Sequence, residues 1–247
     1  MATTPHIVAL GGGDMRTNTT LAIDQYIINQ TGKERPNALF IPTATDDSSD
    51  YVDLFNDIYG QQLNCQTNTL YLYQKPDPPE RRAQLIAEAD LIYVGGGNTL
   101  KMMKTWRRLG VDKLLRQAAA QGTILSGISA GAICWFKYGH SDSASFTAED
   151  DNWAHMRVTA LGLIPLLYCP HYHSEQREDS LAHMIATRGG RAIACDDDTA
   201  IIIKGDQYRI ITSQPHGRAY HLRRQNYQAV RTQLLPTADF APLADLL

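Results

Sequence analysis

The sequence predicts an α/β fold, with a mostly parallel sheet carrying helices on both faces. Three observations predict it. Short β-branched runs alternate with amphipathic stretches of helical length through the first half of the chain, the pattern of parallel strands joined by crossover helices. Three of these runs end in glycines: Gly11-Gly12-Gly13, Gly95-Gly96-Gly97, and Gly127-Ile128-Ser129-Ala130-Gly131. The last is G-x-S-x-G between a strand and a helix, the nucleophile-elbow pattern. Ligands bind beyond the carboxyl ends of such strands, so the three glycine clusters are expected on one edge.

Taken in order, residues 6–10 form a buried strand that delivers Gly11-Gly12-Gly13-Asp14 to that edge. The glycines match neither a dinucleotide nor a Walker fingerprint. Leu21, Ile23, Tyr26, Ile27 and Ile28 give a helix over 19–30 one apolar face, and Gly32 ends it. Residues 37–41 are a strand stopped by Pro42, and 43–49 a polar loop. A helix over 50–63, a strand over 67–73, a proline-rich turn over 75–79 and a helix over 80–89 follow. The strand 90–94 runs straight into Gly95. Helical patterns over 100–109 and 111–121 are parted by Gly110. Residues 123–125 feed the elbow, and a helix-compatible run, 130–138, leads out of it.

The second half changes character. Residues 139–152 read as a long polar, acidic loop and 161–165 as a turn. A strand over 166–169 ends at Pro170-His171. A helix over 175–188, closed by Gly189-Gly190, precedes a strand over 191–195 that ends in Asp196-Asp197-Asp198. Residues 200–204 and 207–211 read as a β-hairpin. Residues 218–222 add a strand, and the rest, with Pro236 and Pro242, an irregular tail. With no repeat, low-complexity segment or linker, the chain is expected to be a single domain over 1–247.

Bulk properties narrow the function. A net charge of −3 over 247 residues gives no footprint for nucleic acid. No apolar stretch is long enough to span a bilayer, and no secretory leader pattern opens the chain. The four cysteines (Cys65, Cys134, Cys169, Cys195) contain no C-x-x-C pair and read as reduced core thiols, which gives a cytoplasmic expectation. No cofactor is implied. A metal site built from His171-x-His173 and the aspartates is disfavoured, because strand alternation splits the two imidazoles.

A serine nucleophile needs a base within hydrogen-bond reach and an acid to orient that base. Gly127 and Gly131 let strand and helix close around Ser129, and the Ala130 N–H lies at a helix start, where it can stabilise an oxyanion. Of eight histidines, His171 is the best placed, following a strand end and a proline. For the acid, Asp197 competes with its neighbours and with Asp142 and Glu175. Chain order Ser, His, acid is not that of the α/β-hydrolases. A thiol alternative, Cys134, falls inside the following helix, where packing is the better expectation.

Gly95-Gly96-Gly97-Asn98-Thr99, Gly127-Ile128-Ser129-Ala130-Gly131 and Cys169-Pro170-His171-Tyr172, in this order, resemble the dipeptidase E family. It comprises serine aspartyl dipeptidases and the related cyanophycinases, on a fold like that of class I glutamine amidotransferases. The resemblance runs from the first strand to the final hairpin. It implies a flavodoxin-like sheet with the elbow after a central strand, and a serine peptidase acting on small peptides with a preference for N-terminal aspartate. It further implies Ser129 as nucleophile, His171 as base, Asp197 where the family carries Glu, and Gly97 with Ala130 as oxyanion donors. An arginine just after the histidine segment, Arg177, would read the substrate carboxylate, with Asn98 and His140 as further candidate substrate contacts.

Overall fold

The computed structural model describes residues 5–145 and 155–247. In chain order the strands of the first half are β1 (His6–Leu10), β2 (Asn37–Ile41), β3 (Gln66–Thr69), β4 (Leu91–Val94) and β5 (Ile124–Ile128). Then come β6 (Phe136–Ser141), β7 (Met156–Thr159), β8 (Ile164–Cys169), β9 (Arg191–Cys195) and β10 (Thr199–Lys204). The last are β11 (Gln207–Thr212), β12 (Ala219–Gln225), β13 (Gln228–Leu234) and β14 (Ala241–Pro242). The helices are α1 (Leu21–Asn29), α2 (Ser49–Phe55), α3 (Pro79–Glu88), α4 (Thr99–Leu109), α5 (Val111–Gln121), α6 (Ala130–Ile133) and α7 (Glu178–Arg188).

The fold is α/β, and its strands divide between two sheets. The first has the order β14-β11-β10-β1-β5-β4-β2-β3. Its β1, β5, β4, β2 and β3 run parallel, and β10, β11 and β14 continue it antiparallel. The elbow strand β5 is therefore central. The second has the order β13-β12-β9-β8-β6-β7, with β6, β8 and β9 parallel. Strand alternation splits β1 between two cores. Val8 and Leu10 pack with α1, α2 and an aromatic cluster of Phe40, Phe55, Tyr59 and Tyr93, in which Phe55 stacks on both Phe40 and Tyr59. Ile7 and Ala9 face a core that holds Trp106 on α4 and Phe136, Tyr168 and Ile193 of the second sheet. The Tyr168 hydroxyl donates to the Ala9 carbonyl at 3.0 Å, a buried hydrogen bond between the sheets. Beneath α7, Leu181, Met184 and Ile185 cover Leu167, Ala192 and Leu222. Among the described residues no helix is long and apolar enough to cross a membrane.

Several expectations change. The helix leaving the elbow is one turn, not 130–138. The N–H groups of Leu161, Gly162 and Leu163 bond the carbonyls of Cys134, Phe136 and Trp135, so tertiary pairing draws this segment into the second sheet. The expected loop 139–152 accordingly begins with strand, through Ser141, and its residues 146–152 lie outside the described residues. The helix expected over 50–63 is α2 followed by a π-helical segment, Asn56–Gln62. The tail is not irregular throughout. Asn226 and Tyr227, at φ of 50° and 61°, turn β12 into β13, a mostly polar edge strand whose sequence alternates too weakly to announce itself.

Candidate active site

Three strands of the first sheet end side by side. At the end of β5, Ser129 takes φ 55° and ψ −116°, a conformation that costs a non-glycine residue about 1–3 kcal/mol. Its surroundings impose it. The Ser129 N–H donates to the Leu10 carbonyl at 3.2 Å, and its carbonyl accepts from Ala132 and Ile133 at 2.9 and 3.0 Å. A Cβ on Gly131 would lie 2.0 Å from the Val94 carbonyl oxygen, so only glycine lets the elbow settle against β4. No described group hydrogen-bonds Ser129 Oγ, and none accepts the N–H of Ala130 or of Gly97. Gly97 lies at φ 126° in the loop after β4. A Cβ on the preceding Gly96 would sit 3.3 Å from Ser129 Cβ, which brings that loop directly alongside the serine.

His171 reaches this edge from the second sheet, not from the same sheet as Ser129. It follows β8, at φ 123°, and its Nδ1 lies 2.8 Å from Asp197 Oδ1. Asp197 follows β9 and bridges to Gly12, beyond the end of β1. A Cβ on Gly12 would fall 1.9 Å from Asp197 Oδ1 and 2.4 Å from His171 Nδ1, so the pair rests directly on that glycine. β1 neighbours β5, with Leu10 paired to Ile128, and the two sheets meet at the elbow. The His171 hydrogen bond holds the Asp197 carboxyl below the usual carboxylate range, against the opposing effect of burial. An ionised carboxylate only accepts, so Nδ1–H donates to it. Asp142, the rival acid, instead lies 3.9 Å from Arg177 Nη2.

The expected substrate contacts are placed differently. Arg177 is 1% exposed, and it precedes α7 rather than lying on it. Its Nε donates to Glu175 Oε2 at 2.9 Å, its Nη2 pairs with the same carboxylate, and its Nη1 donates to the His140 carbonyl at 2.8 Å. The protein itself thus supplies the carboxylate that Arg177 was expected to take from a substrate. His140 is fully buried because it lies in β6. Its Nε2 is 2.9 Å from Ser180 Oγ, and its ring stacks on His155 at 4.4 Å. Burial, with the nearby His155 and Arg177 charges, pushes its pKa down to about 2, so it is a neutral core residue. Asn98 caps α4, its Oδ1 accepting the Lys101 N–H at 3.0 Å. Cys134 is buried, with Sγ 3.0 Å from the Gly131 carbonyl oxygen, and burial pushes its thiol up. It is a packed residue, not a nucleophile.

Two features had no place in the sequence reading. His173 pairs with Asp196, Nδ1 to Oδ1 at 2.8 Å, so adjacent aspartates hold two different histidines. Among the described residues no group of three or more His, Cys, Asp or Glu side chains is arranged to hold a metal. The groove along the strand ends also comprises three adjoining cavities. One of about 500 Å³ contains His171 and Asp197. One of about 300 Å³ lies beside Ile128 and Arg16. One of about 770 Å³ runs from Gly97 and Asn98 along α4.

Residues 7–211 match peptidase family S51. The uncharacterized peptidase YgaJ of Bacillus subtilis (strain 168) is 33% identical over 232 residues, 92% of this chain and 96% of its own length. A probable alpha-aspartyl dipeptidase of Drosophila melanogaster is 26% identical over 218 residues, 84% of this chain and 81% of its own. The crystal structure of a peptidase from an acI-B1 Actinobacterium shares the fold, with a TM-score of 0.74 at 18% identity over 98% of both chains. A putative peptidase E protein from Listeria monocytogenes EGD-e does so at a TM-score of 0.63 and 20% identity, over 84% of this chain and 98% of its own.

Proposed function

We propose that this serine-type peptidase, which belongs to peptidase family S51, hydrolyses short peptides through an acyl-enzyme on Ser129, with His171 and Asp197 as base and orienting acid. The observation that carries the reading is the 2.8 Å contact of His171 Nδ1 with Asp197, seated on Gly12 beside the elbow strand. Ser129 Oγ attacks the scissile carbonyl while His171 Nε2 takes its proton. The oxyanion is met by the N–H groups of Ala130 and Gly97, both without a described acceptor. The imidazolium, stabilised by Asp197, passes the proton to the leaving amine. Water then repeats the sequence on the acyl-enzyme, with His171 again as base. Removing one oxyanion donor from such a site costs about 10²–10³ in kcat.

One relative is named a probable alpha-aspartyl dipeptidase. A preference for an N-terminal acidic residue is accordingly part of this reading. The four buried free cysteines favour a reducing, cytoplasmic setting. The test is a dipeptide panel hydrolysed by the wild type and by Ser129→Ala. Turnover by the wild type that is lost in the variant supports the mechanism; equal rates in both proteins would sink it.

A further inference from the structure

The loop after β4 presents consecutive backbone N–H groups at Gly95, Gly96, Gly97 and Asn98. Different parts of the fold engage three of them. Gly95 donates to the Ile41 carbonyl at 3.2 Å, at the end of β2, and Asn98 to the Ala44 carbonyl at 2.8 Å, in the turn that follows. The Gly96 N–H faces a side chain, the Tyr51 hydroxyl of α2. Among the described residues Gly97 alone in this run has no acceptor, and its N–H is the one assigned above to the oxyanion.

Tyr51 is built in against this loop. A Cβ on Gly95 would lie 2.8 Å from Tyr51 Cε1 and 3.3 Å from Phe40 Cζ, so the glycine rests on both rings. The rings meet edge to face, with centroids 5.0 Å apart. The next residue, Gly96, is the one whose Cβ would fall 3.3 Å from Ser129 Cβ. Two consecutive glycines therefore join Tyr51 to the nucleophile. Burial pushes the Tyr51 phenol up to about 12, against the effect of the Gly96 N–H, so it stays neutral with an oxygen that can accept from that N–H.

A run of three glycines needs such a hold. Glycine reorients at little steric cost, and a turned Gly96–Gly97 peptide would aim a carbonyl oxygen, not an N–H, at the developing negative charge. The Ala44 carbonyl fixes the far end of the run. We propose that Tyr51 is a positioning residue of the reaction: its hydroxyl holds the Gly96 N–H and so fixes the backbone that aims the Gly97 N–H at the oxyanion. The inference rests on the hydrolytic reading above and names the side chain behind its second oxyanion donor. Because Tyr51 acts through the loop, its loss belongs to the chemical step and not to substrate binding.

The experiment measures kcat and KM on Asp-Ala, and the rate of Ser129 labelling by a fluorophosphonate, for the wild type, Tyr51→Phe, Gly95→Ala and Tyr93→Phe. Labelling builds charge on a phosphoryl oxygen at the same donors and requires no knowledge of the preferred peptide. Phe keeps the ring under Gly95 and removes the hydroxyl. Tyr51→Phe is expected to lower kcat about tenfold and labelling by a similar factor, with KM within about twofold. Gly95→Ala disturbs the same contact from the loop side, its Cβ pressing on the Tyr51 ring, and is expected to slow both by at least about tenfold. Tyr93 belongs to the same aromatic cluster, and its buried hydroxyl has no hydrogen-bond partner among the described residues. Tyr93→Phe is therefore expected to stay within about twofold of the wild type. Wild-type kcat and labelling in Tyr51→Phe or in Gly95→Ala would overturn the proposal. So would a Tyr51→Phe loss carried by KM, or equal losses in Tyr51→Phe and Tyr93→Phe. A wild type that neither labels at Ser129 nor cleaves Asp-Ala would instead refute the hydrolytic reading beneath it.

Discussion

His171–Asp197 and His173–Asp196 are made of the same parts. In each, imidazole Nδ1 lies 2.8 Å from an aspartate Oδ1, and the residues come from the same two segments, after β8 and after β9. They differ in what the other ring nitrogen meets. His173 Nε2 lies 3.6 Å from Glu178 Oε1, and its ring sits edge-on to Tyr172 and Tyr220. A carboxylate stands near each of its nitrogens, with only Nδ1 within hydrogen-bond distance. His171 has one nitrogen engaged and one open, on a residue held at φ 123° over Gly12. A histidine–carboxylate distance therefore does not by itself identify a base; the free nitrogen and its place on the strand-end edge do. The second pair has a mechanical use. The His173 N–H also bonds Asp196 Oδ1, at 3.2 Å, which ties the 171–173 turn to the turn that carries Asp197.

That contrast can be broken most severely at the histidines. His171→Ala is expected to cut kcat by about 10⁴-fold or more, whereas His173→Ala should cost less than about tenfold; comparable losses would erase the distinction. Next come the acids. Asp197→Asn is expected to lower kcat by about 10⁴-fold through the wrong imidazole tautomer. Asp196→Asn should mainly lower stability, by about 1 kcal/mol, read as a shifted urea midpoint. Gly12→Ala tests the seat of the first pair alone. A Cβ there must displace both His171 and Asp197, and a displacement of about 1 Å is worth about 10²-fold in kcat, with the fold retained by circular dichroism.

The smallest effect is on acid stability. Asp197 is held below the usual carboxylate range by the His171 hydrogen bond, so the native state takes up that proton at lower pH than the unfolded chain does. The stabilisation is complete above about pH 4 and is lost as pH falls through the lowered native value. Asp197→Asn should remove that part of the pH dependence of the urea midpoint; an unchanged acid slope would contradict it.

What was legible in the sequence was local. The elbow, the glycine-ended strands and His171 after a strand and a proline are each written in a few consecutive residues. Asp197 came from family resemblance, because an Asp-Asp-Asp run does not say which member meets which histidine. The second sheet was hidden for a physical reason. Residues 134–138 are apolar and aromatic enough to continue a helix, and only the partners near 161–164 decide otherwise. The same pairing decides the setting of two other residues. A helix and loop over this segment would expose His140; in β6 it is core. A helix starting at residue 175 would leave Arg177 an open cation. The helix begins at Glu178, and the turn before it folds Glu175 back onto the guanidinium.

In the proposed mechanism His171, and not its neighbouring histidine, activates Ser129. Fluorophosphonate labelling followed by peptide mapping tests it most directly, on the wild type, His173→Ala and His171→Ala. An adduct on Ser129 is expected, formed at similar rates in the first two proteins and at least a hundredfold more slowly in the third. Equal labelling in His171→Ala, or an adduct on any other residue, would contradict it.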